Sequence, residues 1–142
     1  MPGTESNSSK PLTILCMASF EKGHAFMQEA KRLGCRVYLL TVERLKDKAK
    51  FPRESLDDIF YLPAWNDQDM LMAVSHLSRT IAFDRIAALD DLDLEKAAMV
   101  REHLRLPGLG DSATRYFRDK LAMRVRAAAS GIPVPPFTPV FN

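Results

Sequence analysis

Short apolar runs alternate along the chain with stretches of helical spacing, and this alternation limits the possible folds more than any other feature. Leu12–Met17 reads LTILCM, an apolar run of the length of a buried strand. Gly23–Leu33 carries apolar residues three and four positions apart, and Gly34 follows where a left-handed residue commonly ends a helix. Arg36–Val42 (RVYLLTV) has the pattern of a second strand. Together these segments predict a right-handed βαβ unit.

The alternation continues as far as Leu104. Further predicted elements are the strands Ile59–Leu62 and Arg85–Leu89, the helix Gln68–Ala82 with Asp67 as its cap, and the helix Leu94–Leu104. Strands that alternate with helices favour a parallel sheet covered on both faces. We therefore predict an α/β fold, a Rossmann-like open parallel sheet with helices on both faces, over residues 12–108.

The two ends of the chain have a different character. Residues 1–11 are polar and are predicted to be a disordered leader. After Pro107-Gly108, one helix is predicted from Asp111 or Ser112 to Ala129, ended by Gly131. The tail Ile132–Asn142 contains four prolines, which favours an extended segment. Its apolar side chains have no predicted packing partner, which suggests that the chain stops inside a larger protein.

Composition excludes several classes of protein. A hydrophobic fraction of 46% and a charged fraction of 27% are typical of a folded, soluble domain. No apolar run approaches the roughly 18 residues of a transmembrane helix, and the start of the chain is not a secretory signal. A formal net charge of +2 gives no reason to expect a nucleic acid as partner. Cys16 and Cys35 are interpreted as two buried thiols in a reducing cytoplasm, and no metal site is predicted.

Candidate binding residues follow the predicted strands, because an open parallel sheet binds ligands beyond the carboxyl ends of its strands. The first such loop holds a single glycine, Gly23, so a conventional dinucleotide site is disfavoured. Ser19 and His24 either hold a small anionic ligand or only cap and solvate the loop. Asp90 and the adjacent Asp91 either contact substrate or cap a helix. No catalytic residue is assigned.

The last predicted helix is basic. Its cationic residues are Arg115, Arg118, Lys120, Arg124 and Arg126. One interpretation is that these residues form a solvated face. The other is that a single lysine among them contacts nucleotide phosphates, since one fixed ammonium at the edge of a cleft is enough for that role.

Residues Leu106–Phe137 resemble a segment of the ATP-grasp superfamily that joins the N-terminal Rossmann-like domain to the ATP-binding domain. The resemblance is strongest to the biotin-carboxylase-like and L-amino-acid-ligase-like members. The matching parts are Pro107-Gly108, the short helix Asp111–Tyr116, the acid–lysine pair Asp119-Lys120, and Gly131-Ile132-Pro133-Val134-Pro135. Upstream, Asp90–Leu104 with Glu95 resembles the last helix of the family's N-terminal domain.

The resemblance implies an N-terminal part of an ATP-dependent carboxylate–amine or carboxylase-like ligase that works through an acyl phosphate. It implies that Lys120 contacts ATP phosphates, and that Ser19, Gly23, His24 and Asp90 are weaker candidates for binding a small carboxylate or amino-acid substrate. We expect the full-length protein to bind ATP and Mg²⁺, and we expect this chain alone to bind no cofactor stably. Residues 109–142 would be a linker helix and the start of a truncated ATP-grasp domain, so this chain alone is expected to be inactive. A cytoplasmic location is expected, and a homodimer is left open.

Two other functions stay open at this level. Gly23-His24 after the first strand, followed by Leu33–Val37, is also similar to the N-terminal half of a glycosyltransferase. That fold gives no role to Asp119-Lys120 or to the proline-rich block. The third alternative is a stand-alone Rossmann-type ligand-binding module, against which the unpartnered apolar tail argues.

Overall fold

A computed structural model of the chain describes residues 10–140, so nearly all of the predicted leader and the last two residues lie outside the described range. The strands are β1 (Thr13–Met17), β2 (Arg36–Val42), β3 (Asp58–Leu62) and β4 (Arg85–Ala88). The helices are α1 (His24–Arg32), α2 (Asp67–Leu77), α3 (Leu94–His103), α4 (Asp111–Arg118) and α5 (Lys120–Ala129). Short 3-10 turns occupy Glu43–Leu45, Arg53–Ser55 and Asp91–Asp93.

The four strands form one parallel sheet in the order β3-β2-β1-β4. In the register, Leu15 of β1 lies beside Tyr38 on one side and Ile86 on the other. β1 is therefore central, and all five of its residues are buried. The predicted α/β fold with an open parallel sheet is confirmed.

Alternate residues of the central strand point to two separate cores. Leu15 and Met17 pack with Met70 and Val74 of α2 and with Val100 of α3. On the opposite face, Ile14 and Cys16 pack with Met27 and Ala30 of α1. Since side chains of a strand alternate between its faces, a strand that is apolar throughout needs cover on both sides. The helices on both faces provide that cover, as predicted.

The helix predicted over Gln68–Ala82 is shorter than expected and has a different cap. Asn66, not Asp67, is the N-cap: its side chain accepts a hydrogen bond from the Asp69 N–H at 2.8 Å. The helix ends at Leu77, whose carbonyl accepts from the N–H groups of Thr80 and Ile81 in a tight turn. The Thr80 hydroxyl also donates to that carbonyl, so local polar contacts replace the last predicted turn.

The single helix that the apolar spacing predicts from Asp111 or Ser112 to Ala129 is wrong, because the chain forms two helices there. The family resemblance, with its separate short helix over Asp111–Tyr116, was closer to the structure. At Asp119 the backbone is extended, with φ −86° and ψ 112°. Its Oδ1 accepts hydrogen bonds from the N–H groups of Leu121 at 2.9 Å and Ala122 at 3.1 Å. An aspartate that caps a new helix competes with the backbone bond that would continue the old one. The predicted ending at Gly131 is confirmed by its φ of +76°.

The two cysteines differ in their surroundings. Cys16 is buried in β1, and burial raises the pKa of its thiol to about 12. Cys35 is only half-buried, which corrects the expectation that both thiols are buried. It follows Gly34, whose φ of +84° confirms the predicted left-handed end of α1 and turns the chain near the surface. The two are free thiols in this structure.

None of the helices in residues 10–140 combines the length and the apolar character needed to traverse a lipid bilayer.

Candidate functional site

The strand order places a topological switch point between β1 and β4. The chain moves from β1 to β2 and β3 in one direction and then places β4 on the other side of β1. The loops that follow β1 and β4 therefore leave the sheet on either side of a topological switch point, which is the common ligand position in open α/β sheets. Ser19 and Gly23 follow β1, and Asp90 follows β4. Three of the predicted site residues thus belong to the two loops on either side of this switch point.

Ser19 is buried and its backbone is held on both sides. Its N–H donates to Asp93 Oδ2 at 3.0 Å, and its carbonyl accepts from Arg44 Nη2 at 2.5 Å. The preceding carbonyl, of Ala18, accepts from the Thr41 hydroxyl at 2.7 Å. The loops that follow β1, β2 and β4 are therefore joined at Ser19.

Gly23 packs against the loop that follows β4. Its φ is +80°, a conformation that disfavours any residue with a Cβ. A Cβ at this position would lie 2.6 Å from Leu89 Cδ1 and 2.8 Å from Leu89 Cβ. The beginning of α1 can approach the end of β4 this closely because the residue is glycine.

Asp90 is half-buried and serves a local role. Its Oδ1 accepts from the Leu92 N–H at 3.0 Å, which caps the turn at residues 91–93, and Lys22 Nζ lies 3.6 Å from its Oδ2. The hydrogen bond from the Leu92 N–H is the main reason that the pKa of Asp90 is lowered, with a smaller contribution from Lys22. This geometry is the capping role that the sequence left open, and it also ties Asp90 to the loop after β1.

His24 points away from Ser19. Its Nε2–H donates to the Lys50 carbonyl at 2.9 Å, and its ring stacks on Phe51 with centroids 6.0 Å apart. These contacts fasten α1 to the loop between β2 and β3. Ser19 and His24 share no hydrogen bond in the described part of the chain, so the structure does not unite them as one anion site.

Lys120 is the first residue of α5 and its side chain is exposed. In residues 10–140 no carboxylate lies within 4.0 Å of its ammonium. Two residues earlier, Arg118 Nη1 lies 4.0 Å from Asp91 Oδ2, beyond the end of β4. The α4–α5 junction is therefore near the carboxyl edge of the sheet, with an unpaired cation beside it.

Asp93 is a site residue that the sequence analysis missed. It is fully buried, and that burial raises the pKa of its carboxyl group in spite of the hydrogen bond from Ser19. Asp90 and Asp91 were candidates from the sequence, but Asp93, two positions after Asp91, was not. The available signal was an aspartate just before the apolar helix pattern of α3, which by itself predicts only a helix cap.

A sequence model described as the ATP-grasp N-terminal domain matches residues 27–108, more than half of the chain. The chain belongs to the ATP-grasp N-terminal domain family. The match covers the Rossmann-like part from α1 to the turn after α3. It confirms the resemblance that the sequence indicated.

Solved structures of ATP-grasp enzymes share this fold. The L-amino acid ligase from Bacillus licheniformis superposes with a TM-score of 0.76 at 20% identity, over 90% of this chain and 32% of that one. Phosphoribosylglycinamide synthetase from Anaerococcus prevotii gives 0.65 at 20% identity, over 86% and 30%. The biotin carboxylase domain of a single-chain bacterial carboxylase gives 0.60 at 17% identity, over 89% and 30%. This ATP-grasp N-terminal domain thus spans about a third of those chains. No curated protein matches it by sequence.

Proposed function

We propose that this domain is part of an ATP-dependent carboxylate–amine or carboxylase-like ligase and contributes Lys120 to the binding of ATP phosphates. The observation that carries the proposal is the position of Lys120. It begins α5, and its ammonium has no carboxylate partner within residues 10–140. The junction beside it lies near the carboxyl edge of the sheet, where Arg118 Nη1 is 4.0 Å from Asp91 Oδ2. A fixed cation at such an edge suits a triphosphate, whose negative charge needs positioned positive groups.

The reaction we propose has two steps. A carboxylate oxygen of the substrate attacks the γ-phosphorus of ATP, ADP leaves, and an acyl phosphate forms. An amine, or another nucleophile in a carboxylase-like enzyme, then attacks the acyl carbon and inorganic phosphate leaves. Lys120 would orient the phosphate chain and offset its charge, and no catalytic residue of this chain is proposed.

For the substrate side, we propose the crevice between the loops after β1 and β4. Ser19, Gly23 and Asp90 belong to the two loops that border it, which supports a role in binding a small carboxylate or amino-acid substrate. His24 is the weakest of these candidates, because its ring is engaged with Lys50 and Phe51. Its contribution would be to keep α1 and its neighbouring loop in place.

ATP-grasp chemistry also implies Mg²⁺, and the described residues do not fit that role. Within residues 10–140, no group of three or more histidine, cysteine, aspartate or glutamate side chains is arranged to hold a metal ion. We therefore assign no Mg²⁺ ligand here and derive no step through the metal.

We propose that residues 12–108 form the pre-ATP-grasp domain and residues 109–142 the linker helix and the start of the ATP-grasp domain. The three superposed enzymes are each about three times as long as the matched region, which supports a full-length protein that completes the ATP site elsewhere. On this proposal the chain is inactive by itself, and the whole protein works in the cytoplasm. Family membership favours this function over the glycosyltransferase alternative.

The test is made on the full-length protein with Lys120→Ala, and with Arg124→Ala as a matched control for loss of an exposed cation from the same helix. Loss of a charge-assisted phosphate contact of about 1.5–3 kcal/mol predicts an increase of about 10- to 100-fold in the Kd for ATP. Arg124→Ala is expected to leave the Kd within about twofold. Lys120→Arg keeps the charge but not the compact ammonium and should give an intermediate value.

Equal ATP affinity in the Lys120→Ala variant and the wild type would refute the role of Lys120. Binding of a nucleotide sugar without any binding of ATP by the full-length protein would refute the ligase function itself. The two results are independent, because the first needs a protein that binds ATP and the second is measured on the wild type alone.

A further inference from the structure

Asp93 directly precedes α3, where an aspartate normally caps its own helix, but its side chain binds a distant loop. It is the N-cap residue of α3 and makes no hydrogen bond to that helix's N–H groups. The N-cap residues Asn66 and Asp119 do make such bonds to α2 and α5. Asp93 instead reaches Ser19, 74 positions earlier, and accepts its N–H at 3.0 Å. Asp90 caps the turn that precedes α3, and the Asp93 carboxylate binds the loop after β1 instead of its own helix.

The second oxygen of this carboxylate is buried without a hydrogen bond. In the described part of the chain, Oδ1 of Asp93 has no partner, and neither has the buried indole Nε1–H of Trp65, which follows β3. The indole is close enough to favour the charged form of Asp93, though burial outweighs it. Buried polar atoms are nearly always satisfied, so the Asp93 carboxylate is held at a cost, with its one full hydrogen bond made to Ser19.

Arg44 holds the same loop from the other side. Its guanidinium donates to the Ser19 carbonyl at 2.5 Å and lies over the Phe20 ring, 4.9 Å from its centroid. Arg44 belongs to the turn after β2, and Asp93 to the turn after β4. Both polar groups of the Ser19 peptide backbone are therefore bound by charged side chains from neighbouring loops.

We propose that Asp93, together with Arg44, is a positioning residue that fixes the loop of residues 18–23 in the shape the substrate meets. The inference rests on the proposed ligase function, in which this loop borders the site for a carboxylate or amino acid. Asp93 itself is buried and does not contact the substrate. It acts through Ser19 and through the residues that follow Ser19 toward Gly23.

The first test is hydrogen exchange on the full-length protein with Asp93→Ala. The control is Asp57→Ala, which removes a carboxylate that accepts the Val37 N–H at 2.7 Å near the amino end of the sheet. Loss of the bond that holds Ser19 predicts that exchange over residues 18–23 rises about tenfold or more. Asp93→Asn keeps an acceptor for Ser19 and should restore most of the protection. Asp57→Ala should leave residues 18–23 unchanged.

Unchanged exchange over residues 18–23 in Asp93→Ala would overturn the proposal, and so would an equal rise across the whole domain. If Asp93→Ala does not fold, Arg44→Ala takes its place, because Arg44 is exposed and its loss leaves the core intact. Its control is Arg53→Ala, an exposed arginine that donates to the Tyr61 hydroxyl at 2.9 Å instead. Local exchange that rises in Arg44→Ala but not in Arg53→Ala supports the proposal, and equal exchange in the two overturns it.

The second test separates this inference from the proposed function. ATP-dependent phosphate release is measured for the full-length wild type with a panel of amino acids and small carboxylic acids. Arg44→Ala is then expected to raise the KM for the accepted substrate about tenfold, with the KM for ATP within about twofold. An active wild type with an unchanged KM in the variant overturns the inference alone. A wild type that neither binds ATP nor turns it over overturns the ligase function, and the substrate part of this inference with it.

Discussion

The sheet and the helical segment that follows it are stabilised in different ways. Every residue of β1 is buried, and each face of the sheet has its own apolar core. In α5 no residue is buried, and α4 buries only Thr114. Two apolar side chains of this segment, Phe117 and Val125, are 60% and 52% exposed. One part of the chain therefore contains its own core, while the other carries apolar surface that it does not cover.

This difference indicates where the free energy of folding comes from. Burial of apolar area contributes roughly 25 cal/mol per Å², so the sheet and its helices supply most of it. Two exposed polar contacts help to attach α4: Glu102 Oε1 accepts the Asp111 N–H at 2.9 Å, and Arg118 lies 4.0 Å from Asp91. Exposed contacts of this kind contribute little each. We expect α5 to open more readily than the sheet.

The largest expected effect comes from truncating one apolar side chain in each region. Leu39→Ala removes a fully buried side chain of β2 and should lower the free energy of unfolding by about 3 kcal/mol. Val125→Ala on exposed α5 should change it by less than about 0.5 kcal/mol. Urea unfolding of the chain, followed by circular dichroism, gives both values.

Equal losses from Leu39→Ala and Val125→Ala would contradict the comparison. That result would mean that α5 packs on another surface in solution, for instance in a homodimer. Repeating the unfolding at several protein concentrations separates the two cases, because the stability of an associated form depends on concentration.

The sheet could be predicted from the sequence because its signals are long and redundant. Arg36–Val42 is both the predicted and the observed second strand, since six of its seven residues are branched, aromatic or apolar and favour the same structure. The helices on both faces followed from the alternation of strands with helices along the chain. Such patterns extend over a whole element, so the predicted burial of that element does not depend on any single residue.

Local polar competition could not be predicted in the same way. Asp119 breaks the helix predicted from apolar spacing, because its carboxylate accepts the N–H groups of Leu121 and Ala122 and so begins a new helix. Asn66 replaces Asp67 as a cap, because two neighbouring polar residues compete for the same backbone N–H groups. Sequence spacing does not tell which of them wins. Helix ends are therefore the least certain part of such a prediction.

The candidate site was predicted in part. Ser19, Gly23 and Asp90 belong to loops that follow parallel strands, so the topology alone placed them near the switch point between β1 and β4. Asp93 was missed because its partner is 74 positions away, and no local pattern encodes a contact of that range. The direction of the His24 ring toward Lys50 likewise depends on a distant loop.

A smaller effect is expected from adding a methyl group to a glycine in each region. Gly23→Ala forces a Cβ to within 2.6 Å of Leu89 in a backbone with φ +80°, which should cost about 2 kcal/mol or more. Gly131→Ala has a similar φ of +76° but no atom within 4 Å, so only the conformational cost of about 1 kcal/mol applies. Thermal unfolding of the two variants measures the difference. A Gly23→Ala variant as stable as Gly131→Ala would show that Leu89 moves aside at no cost, and the close approach of α1 to β4 would then have no role in stability.

The smallest expected effect compares two helix caps. Asn66→Ala removes the cap of α2, which packs in the core, and should lower the global free energy of unfolding by about 1 kcal/mol. Asp119→Ala removes the cap of α5, and the same loss should instead appear locally, as faster hydrogen exchange over residues 120–129 with the global midpoint nearly unchanged. An equal drop in the global midpoint for both variants would mean that α5 unfolds together with the sheet. α5 would then belong to one cooperative unit with the core. A substitution at the α4–α5 junction, where Lys120 lies, would in that case change the free energy of unfolding of the whole domain.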